Sequence, residues 1–141
     1  MDCDGTHNPK YIKKMTNLIK NNNLIITNRF GFKNALTQWS FHRKFITTFR
    51  HALVSLIFKT DLDSSGAFRC YDCNKIKLKD ILSAKNDSYA FFIESTLILY
   101  KKNYKIDQIP IILPKRFSGS SKMSFKDLII GFFYILFLFI K

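Results

Sequence analysis

The sequence predicts an α/β domain with an incomplete sheet. Three observations lead there. Helical and strand-like segments alternate along most of the chain. The strand-like runs are short and only three in number, which makes a poor doubly wound sheet. The chain closes on an uncharged run from Leu128 to Ile140, which reads as an apolar helix.

Each element has a local reason. Asn8-Pro9 is an N-cap followed by proline at the first helical position. Ile12, Met15, Leu18 and Ile19 then recur at helical spacing, with lysines on the other face, and the helix ends in Asn21, Asn22 and Asn23. "LIIT" from Leu24 to Thr27 is a short apolar run, expected to be a buried strand, and "NRFGFKN" after it is a loop. Thr37 to Lys59 reads as a long helix. Trp39, Phe41, Phe45, Phe49, Leu53, Leu56 and Ile57 lie roughly on one side of it, with His42, Arg43, Lys44 and Arg50 interrupting them. His42 and His51 are expected on the helix surface, and Trp39 in the core or facing a membrane. "DLDSSG" is turn chemistry. "AFRCY" is a candidate strand, Asn74 to Ser83 a short helix and Ser88 to Lys101 a longer one. "YKIDQIPIIL" is a strand whose Pro110 points to an edge or a bulge. "PKRFSGSSKMS" is a basic loop with a flexible centre, and Ser124 to Lys141 is the last helix.

The totals narrow the function classes. Of 141 residues, 23 are Lys or Arg and 10 are Asp or Glu, a formal charge of +13. Such a balance favours polyanionic partners: nucleic acid, anionic lipid or phosphorylated small molecules. The basic residues are spread over all segments rather than gathered on one recognition helix, which argues against nucleic acid. Three cysteines give no disulfide framework, and the Cys70-x-x-Cys73 pair lacks the second pair a structural zinc site needs. No secretory signal is visible.

The chemistry begins at Asp2 and Asp4. In an extended segment residues i and i+2 share a face, so two carboxylates there can meet one hard cation such as Mg²⁺ or Mn²⁺. On spacing alone, a solvated terminus carrying two acids is the simpler reading. The residues that follow extend the pattern. "MDCDGTHNPKYIKKM" resembles the D-x-D segment of family 2 glycosyltransferases, the group that includes dolichol-phosphate mannose synthase and its bacterial polyprenyl-phosphate relatives. The resemblance continues in order through "NRF", "WSFHRK", "DSSGAFRCY", "SYAFFIE" and "IPIILPKRFSGSSKMS". It covers nearly the whole chain, and six ordered segments are far more specific than any one.

The resemblance implies the C-terminal portion of a GT-A (Rossmann-like) nucleotide-diphospho-sugar transferase, with residues 1–123 as a partial transferase domain and 124–141 as a membrane-associating helix or truncated span. It implies metal on Asp2 and Asp4, and phosphate binding by Arg29, Arg69, Arg116, Ser121 and Lys122. A metal would neutralise charge on the leaving diphosphate, and Arg116 and Lys122 could clamp phosphate oxygens. Read without the resemblance, their loop is a solvated basic turn, and Arg29 and Arg69 are surface ion-pair partners. Asp63 is the candidate for positioning or deprotonating the acceptor, and equally a turn residue. Glu94 is either a buried, charge-paired acid near the site or the polar face of its helix.

The implied partners are a nucleotide-diphosphate sugar, a lipid-phosphate acceptor and the cytoplasmic face of a membrane. The apolar run is shorter than the roughly 20 residues of a spanning helix, so it suits an interfacial segment, a truncated span or a core helix. The resemblance also implies a donor-binding half ahead of Asp2, on the same chain or on a partner chain, so this polypeptide alone is expected to be weakly active or inactive. The alternative is a catalytically inactive remnant that acts as a basic, membrane-associated protein.

Overall fold

Leu24, Ile25 and Ile26 are fully buried, and the rest of the fold is arranged around them. In the computed structural model, residues 5–87, 90–114 and 125–140 are described, the last segment with side chains from residue 129 onward. The element order is α1 (Lys10–Leu18), β1 (Leu24–Asn28), α2 (Phe41–Phe58), β2 (Arg69–Tyr71), α3 (Leu78–Leu82), α4 (Phe91–Lys101), β3 (Ile106–Pro110) and α5 (Phe125–Ile140). This is an α/β fold with a small mixed sheet, ordered β2-β1-β3. β1 is the central strand. It runs antiparallel to β2, with Ile25 opposite Cys70, and parallel to β3, with Ile26 opposite Gln108.

The two-residue period of β1 divides the core. Leu24 and Ile26 pack with Leu62, Ile76 and Leu99. Ile25, on the other face, packs with Met15 of α1, Phe68 and Ile109. A third cluster, Val54, Ile93, Leu97, Ile135 and Leu138, joins α2, α4 and α5. A strand buried on both faces reads as a continuous apolar run, which is why "LIIT" was legible.

Local signals fixed several boundaries. Asn8 Oδ1 accepts the Lys10 N–H at 3.0 Å. At the other end of α1 a 3₁₀ turn, Ile19–Asn21, leads to Asn22, whose side chain donates to Leu18 O at 2.9 Å. α4 ends at Asn103 with φ 59°, a left-handed position that asparagine tolerates. Pro110 is the last residue of an edge strand, where a missing N–H costs no ladder bond.

Elsewhere the elements are shorter than their sequence patterns. α2 starts at Phe41 rather than Thr37, because Ser40 is extended (φ −59°, ψ 149°). Trp39, just ahead of it, is half-buried under the Arg43 guanidinium, 3.7 Å from the ring centroid. α3 covers only Leu78–Leu82 of the expected Asn74–Ser83, since Lys75 and Ile76 turn back onto Asp72 O. His51 is not a surface residue: it is half-buried and stacked on Phe30, with centroids 3.9 Å apart.

The aromatic side of α2 faces outward. Phe41, Phe45 and Phe49 are 77%, 62% and 52% exposed, and Thr47 and Val54 supply the buried face. The rings stack in file, Phe41 on Phe45 at 6.5 Å and Phe45 on Phe49 at 6.3 Å, and the file continues to Phe132 of α5 at 6.4 Å. Ile129, Ile130, Phe133, Phe137 and Phe139 of α5 are also exposed. No helix among the described residues is long and apolar enough to cross a membrane.

Core and ridge should respond oppositely to truncation. Leu99→Ala should lower unfolding free energy in urea by about 2–5 kcal/mol. Phe45→Ser, at an exposed position, should change it by no more than about 0.5 kcal/mol.

Candidate functional site

In open α/β sheets, ligands gather beyond the carboxyl ends of parallel strands. Here that edge lies past Asn28 of β1 and Pro110 of β3, which are paired with each other. Arg29 is the first residue past β1. Its backbone N–H donates to Asp63 Oδ2 at 2.9 Å, its Nε to the same oxygen at 2.8 Å, and its Nη2 to Asp63 Oδ1 at 2.6 Å. The carboxylate is 1% exposed. Burial disfavours its charged form, but Arg29's charge and hydrogen bonds outweigh that and hold Asp63 below the usual carboxylate range. A carboxylate so engaged is a poor general base, and its observed contacts fasten its turn to the residue after β1.

The turn that carries Asp63 is held from three sides. Asp63 N–H donates to Gln108 Oε1 of β3 at 3.2 Å. Arg29 Nη2 also donates to Ser65 Oγ. Arg69 reaches back from β2 and places all five donors on protein atoms. Nε meets Gly66 O at 2.7 Å, Nη2 meets Ser64 O at 2.6 Å and Phe92 O at 2.7 Å, and Nη1 meets Tyr71 Oη and Ser95 Oγ at 3.2 Å each. Arg69 therefore clips the turn to α4, and a phosphate there would have to displace one of these acceptors.

Sequence reasoning missed Arg50. It lies on α2 between the buried Thr47 and Val54 at helical spacing, and that spacing was the available signal. Arg50 Nη2 donates to Ser65 Oγ at 3.2 Å, while its buried Nε has no hydrogen-bond partner among the described residues. Burial and the like charge of Arg29 push its pKa down to about 10, against the pull of Asp63, so it stays protonated at neutral pH. Burial also lowers the pKa of His51, further along the same helix.

The other expected site residues fall in different places. Glu94 is buried, not part of an exposed polar face. Its Oε2 accepts the Lys85 and Asn86 N–H groups at 2.9 Å each and the Tyr134 hydroxyl at 2.6 Å, tying the 85–86 segment and α5 to α4. Asp2, Asp4, Arg116, Ser121 and Lys122 lie outside the described residues. The segment just after Asp4 is placed, however. Thr6 and His7 are buried, and the His7 ring lies 4.9 Å from Phe68. Phe68 O accepts both the N–H and the hydroxyl of Thr27, so this segment reaches the same edge as Arg29. Among the described residues no group of three or more His, Cys, Asp or Glu could hold a metal, and Cys70 and Cys73 are free thiols.

Gly31 closes the edge. A Cβ there would sit 2.6 Å from Pro110 Cβ, too near for any side chain without a shift. Glycine thus lets the loop after Arg29 lie against the end of β3.

No family model matches the chain. It is 24% identical over 125 residues to an undecaprenyl-phosphate mannosyltransferase of Micrococcus luteus, and the match covers 88% of the chain and 51% of the relative. It is 21% identical over 126 residues to a polyprenol monophosphomannose synthase of Mycolicibacterium smegmatis, covering 88% and 48%. The chain thus spans about half the length of the curated relatives it matches.

Asp63→Asn should lower stability at pH 7 by about 3–5 kcal/mol, because it leaves the Arg29 guanidinium buried against a neutral partner. Asp63 has a depressed folded pKa. Its contribution is therefore complete above the unfolded value of about 3.9 and is lost as pH falls through the lower folded value. Urea melts should show the gap between wild type and variant constant above about pH 5 and closing below pH 4. A gap that does not change with pH would mean that Asp63 does not carry the charge.

Proposed function

We propose that this chain is part of a membrane-associated, GT-A-type transferase that moves mannose from a nucleotide-diphosphate donor to the phosphate of a polyprenyl-phosphate lipid. The observation that carries this is the Arg29–Asp63 pair at the carboxyl edge of β1 and β3, with Arg50 and Arg69 beside it: three guanidinium groups around one carboxylate. Phosphate chemistry needs such a surplus of positive charge. The match over most of the chain to two polyprenyl-phosphate mannose-transferring enzymes supports the same reading.

The reaction needs little acid–base help. An anionic oxygen of the lipid phosphate forms the new bond to C1 of the sugar. The bond from C1 to the diphosphate breaks, and its electron pair leaves on the diphosphate. A single displacement of this kind inverts the configuration at C1. The acceptor carries no proton that must be removed, which agrees with an Asp63 that positions rather than deprotonates. Arg29 would orient the phosphate while Asp63 fixes its guanidinium. Arg116, Ser121 and Lys122 would contact phosphate oxygens, and Asp2 and Asp4 would hold Mg²⁺ or Mn²⁺. The metal, when bound, would stabilise charge on the leaving diphosphate.

The membrane part rests on the aromatic file. A row of stacked phenylalanines, exposed at Phe41, Phe45 and Phe49 and half-buried at Phe132, in a chain of charge +13, has the amphipathic and cationic character of an interfacial surface.

Two measurements test this reading. Membranes carrying this chain together with a donor-binding half should pass label from nucleotide-diphospho-mannose into a polyprenyl-phosphate fraction in a Mg²⁺- or Mn²⁺-dependent way. Arg29→Lys, which keeps the charge but loses the fork, should lower kcat/KM by about tenfold to a hundredfold. Purified protein should sediment with phosphatidylserine vesicles, and Phe45→Glu should release most of it. Vesicle binding without any sugar transfer would support the inactive membrane protein instead.

A further inference from the structure

Arg50 differs from its neighbours in how its charge is met. Arg29 has a carboxylate and Arg69 has five protein acceptors. Among the described residues Arg50 has a single hydrogen bond, to a hydroxyl that Arg29 also uses, and its buried Nε has no acceptor there. Both oxygens of Asp63 are already taken by Arg29. An orphaned donor on a buried cation is costly and is rarely kept without a use. Among the described residues Asp63 is the carboxylate common to all three guanidinium groups, and over those residues the cluster carries about two positive charges in excess. That is the charge of a phosphate monoester dianion.

We propose that Arg50 is a phosphate ligand: with Arg29 and the Ser65 hydroxyl it forms a site for a phosphate-type oxyanion, which supplies the acceptor that Nε lacks. Arg50 as a residue is half-buried while its Nε is buried, so part of the side chain remains accessible to a ligand. Ser65 Oγ accepts from both arginines and is 3.4 Å from Asp63 Oδ1, so the hydroxyl spaces the two guanidinium groups. Two planar forks side by side suit the several oxygens of one phosphate better than a single cation does. The inference deepens the transferase reading, and it rests on that reading for the identity of the anion. The shared chemistry is a terminal phosphate, from either a lipid monophosphate or a nucleotide diphosphate.

The test is thermal unfolding of the 141-residue chain and its Arg50→Met variant at constant ionic strength. The probes are inorganic phosphate, pyrophosphate and a short-chain polyprenyl monophosphate. Without ligand the variant should melt at or above wild type, because an apolar side chain replaces an unsatisfied buried cation. Phosphate well above its Kd should raise the wild-type Tm by about 3 °C or more and the variant's by much less. A larger shift with polyprenyl monophosphate than with pyrophosphate assigns the site to the acceptor, and the reverse assigns it to the donor. Equal shifts in both proteins, or none in either, overturn the proposal, as does a variant that melts far below wild type and still responds to phosphate. Should Arg50→Met not fold, Arg50→Lys serves, with loss of at least half the shift expected and an unchanged shift overturning. Sugar transfer retained by Arg50→Met together with equal shifts removes Arg50 from the site and leaves the transferase reading standing. A shift confined to wild type, when the chain joined to a donor-binding half still transfers no sugar, keeps the anion site and removes that reading.

Discussion

The buried ion pair between Arg29 and Asp63 is the constraint that the carboxyl edge of β1 and β3 depends on. It fastens the first residue after the central strand to a turn 34 positions away in sequence. The turn in turn touches β3 through Gln108 and α4 through Arg69. Removing either charge would leave the other buried without a partner, which is why such pairs are held so tightly once formed. A backbone N–H and two guanidinium donors on one carboxylate fix the side chain in direction as well as in position. The close approach of Gly31 to Pro110 then seats the following loop.

The same pair sets the electrostatic character of the edge. Elsewhere the protein balances its buried acids locally. Asp80 accepts from the Tyr104 hydroxyl at 2.7 Å and pairs with Lys102, and Glu94 is met by two backbone N–H groups and a tyrosine. At the edge, among the described residues, the balance fails in one direction, with Asp63 the common carboxylate of three arginines. Unbalanced charge of one sign in a partly buried place is the usual mark of a ligand that brings the other sign. Arg69 and Arg50 show two ways for a buried guanidinium to exist, one satisfied by the protein and one left open.

Much of this was legible in the sequence where the cause is local. The strand at Leu24, the proline at the end of β3 and the turn at Asp63 each follow from a residue's own conformational preference or from a short apolar run. The pairing of Arg29 with Asp63 was not readable, although both residues were singled out, because a contact across 34 positions leaves no periodic trace. Arg50 was passed over because a basic residue on a helix is usually solvated, and only its place between Thr47 and Val54 shows otherwise. Apolar residues on one side of a helix normally mark the face turned to the core, whereas on α2 Phe41, Phe45 and Phe49 are exposed and the buried residues are Thr47 and Val54. The same helix joins the charged edge to the aromatic file.

That double role of α2 has a geometric consequence. Arg50 projects roughly opposite Phe41 and away from Phe45 on a single rigid rod, and an α-helix with its side chains is about 10 Å across. If the file rests on lipid, the guanidinium stands roughly one helix width above the headgroup plane. A lipid acceptor would then have to lift its phosphate out of that plane to react, while its hydrocarbon tail stayed below. Encounter becomes a matter of lateral diffusion and vertical reach, and the relevant concentration is molecules per unit area of bilayer rather than per volume of water. Acceptors would be sorted less by headgroup shape than by how far their first isoprene units can bend upward without leaving the membrane.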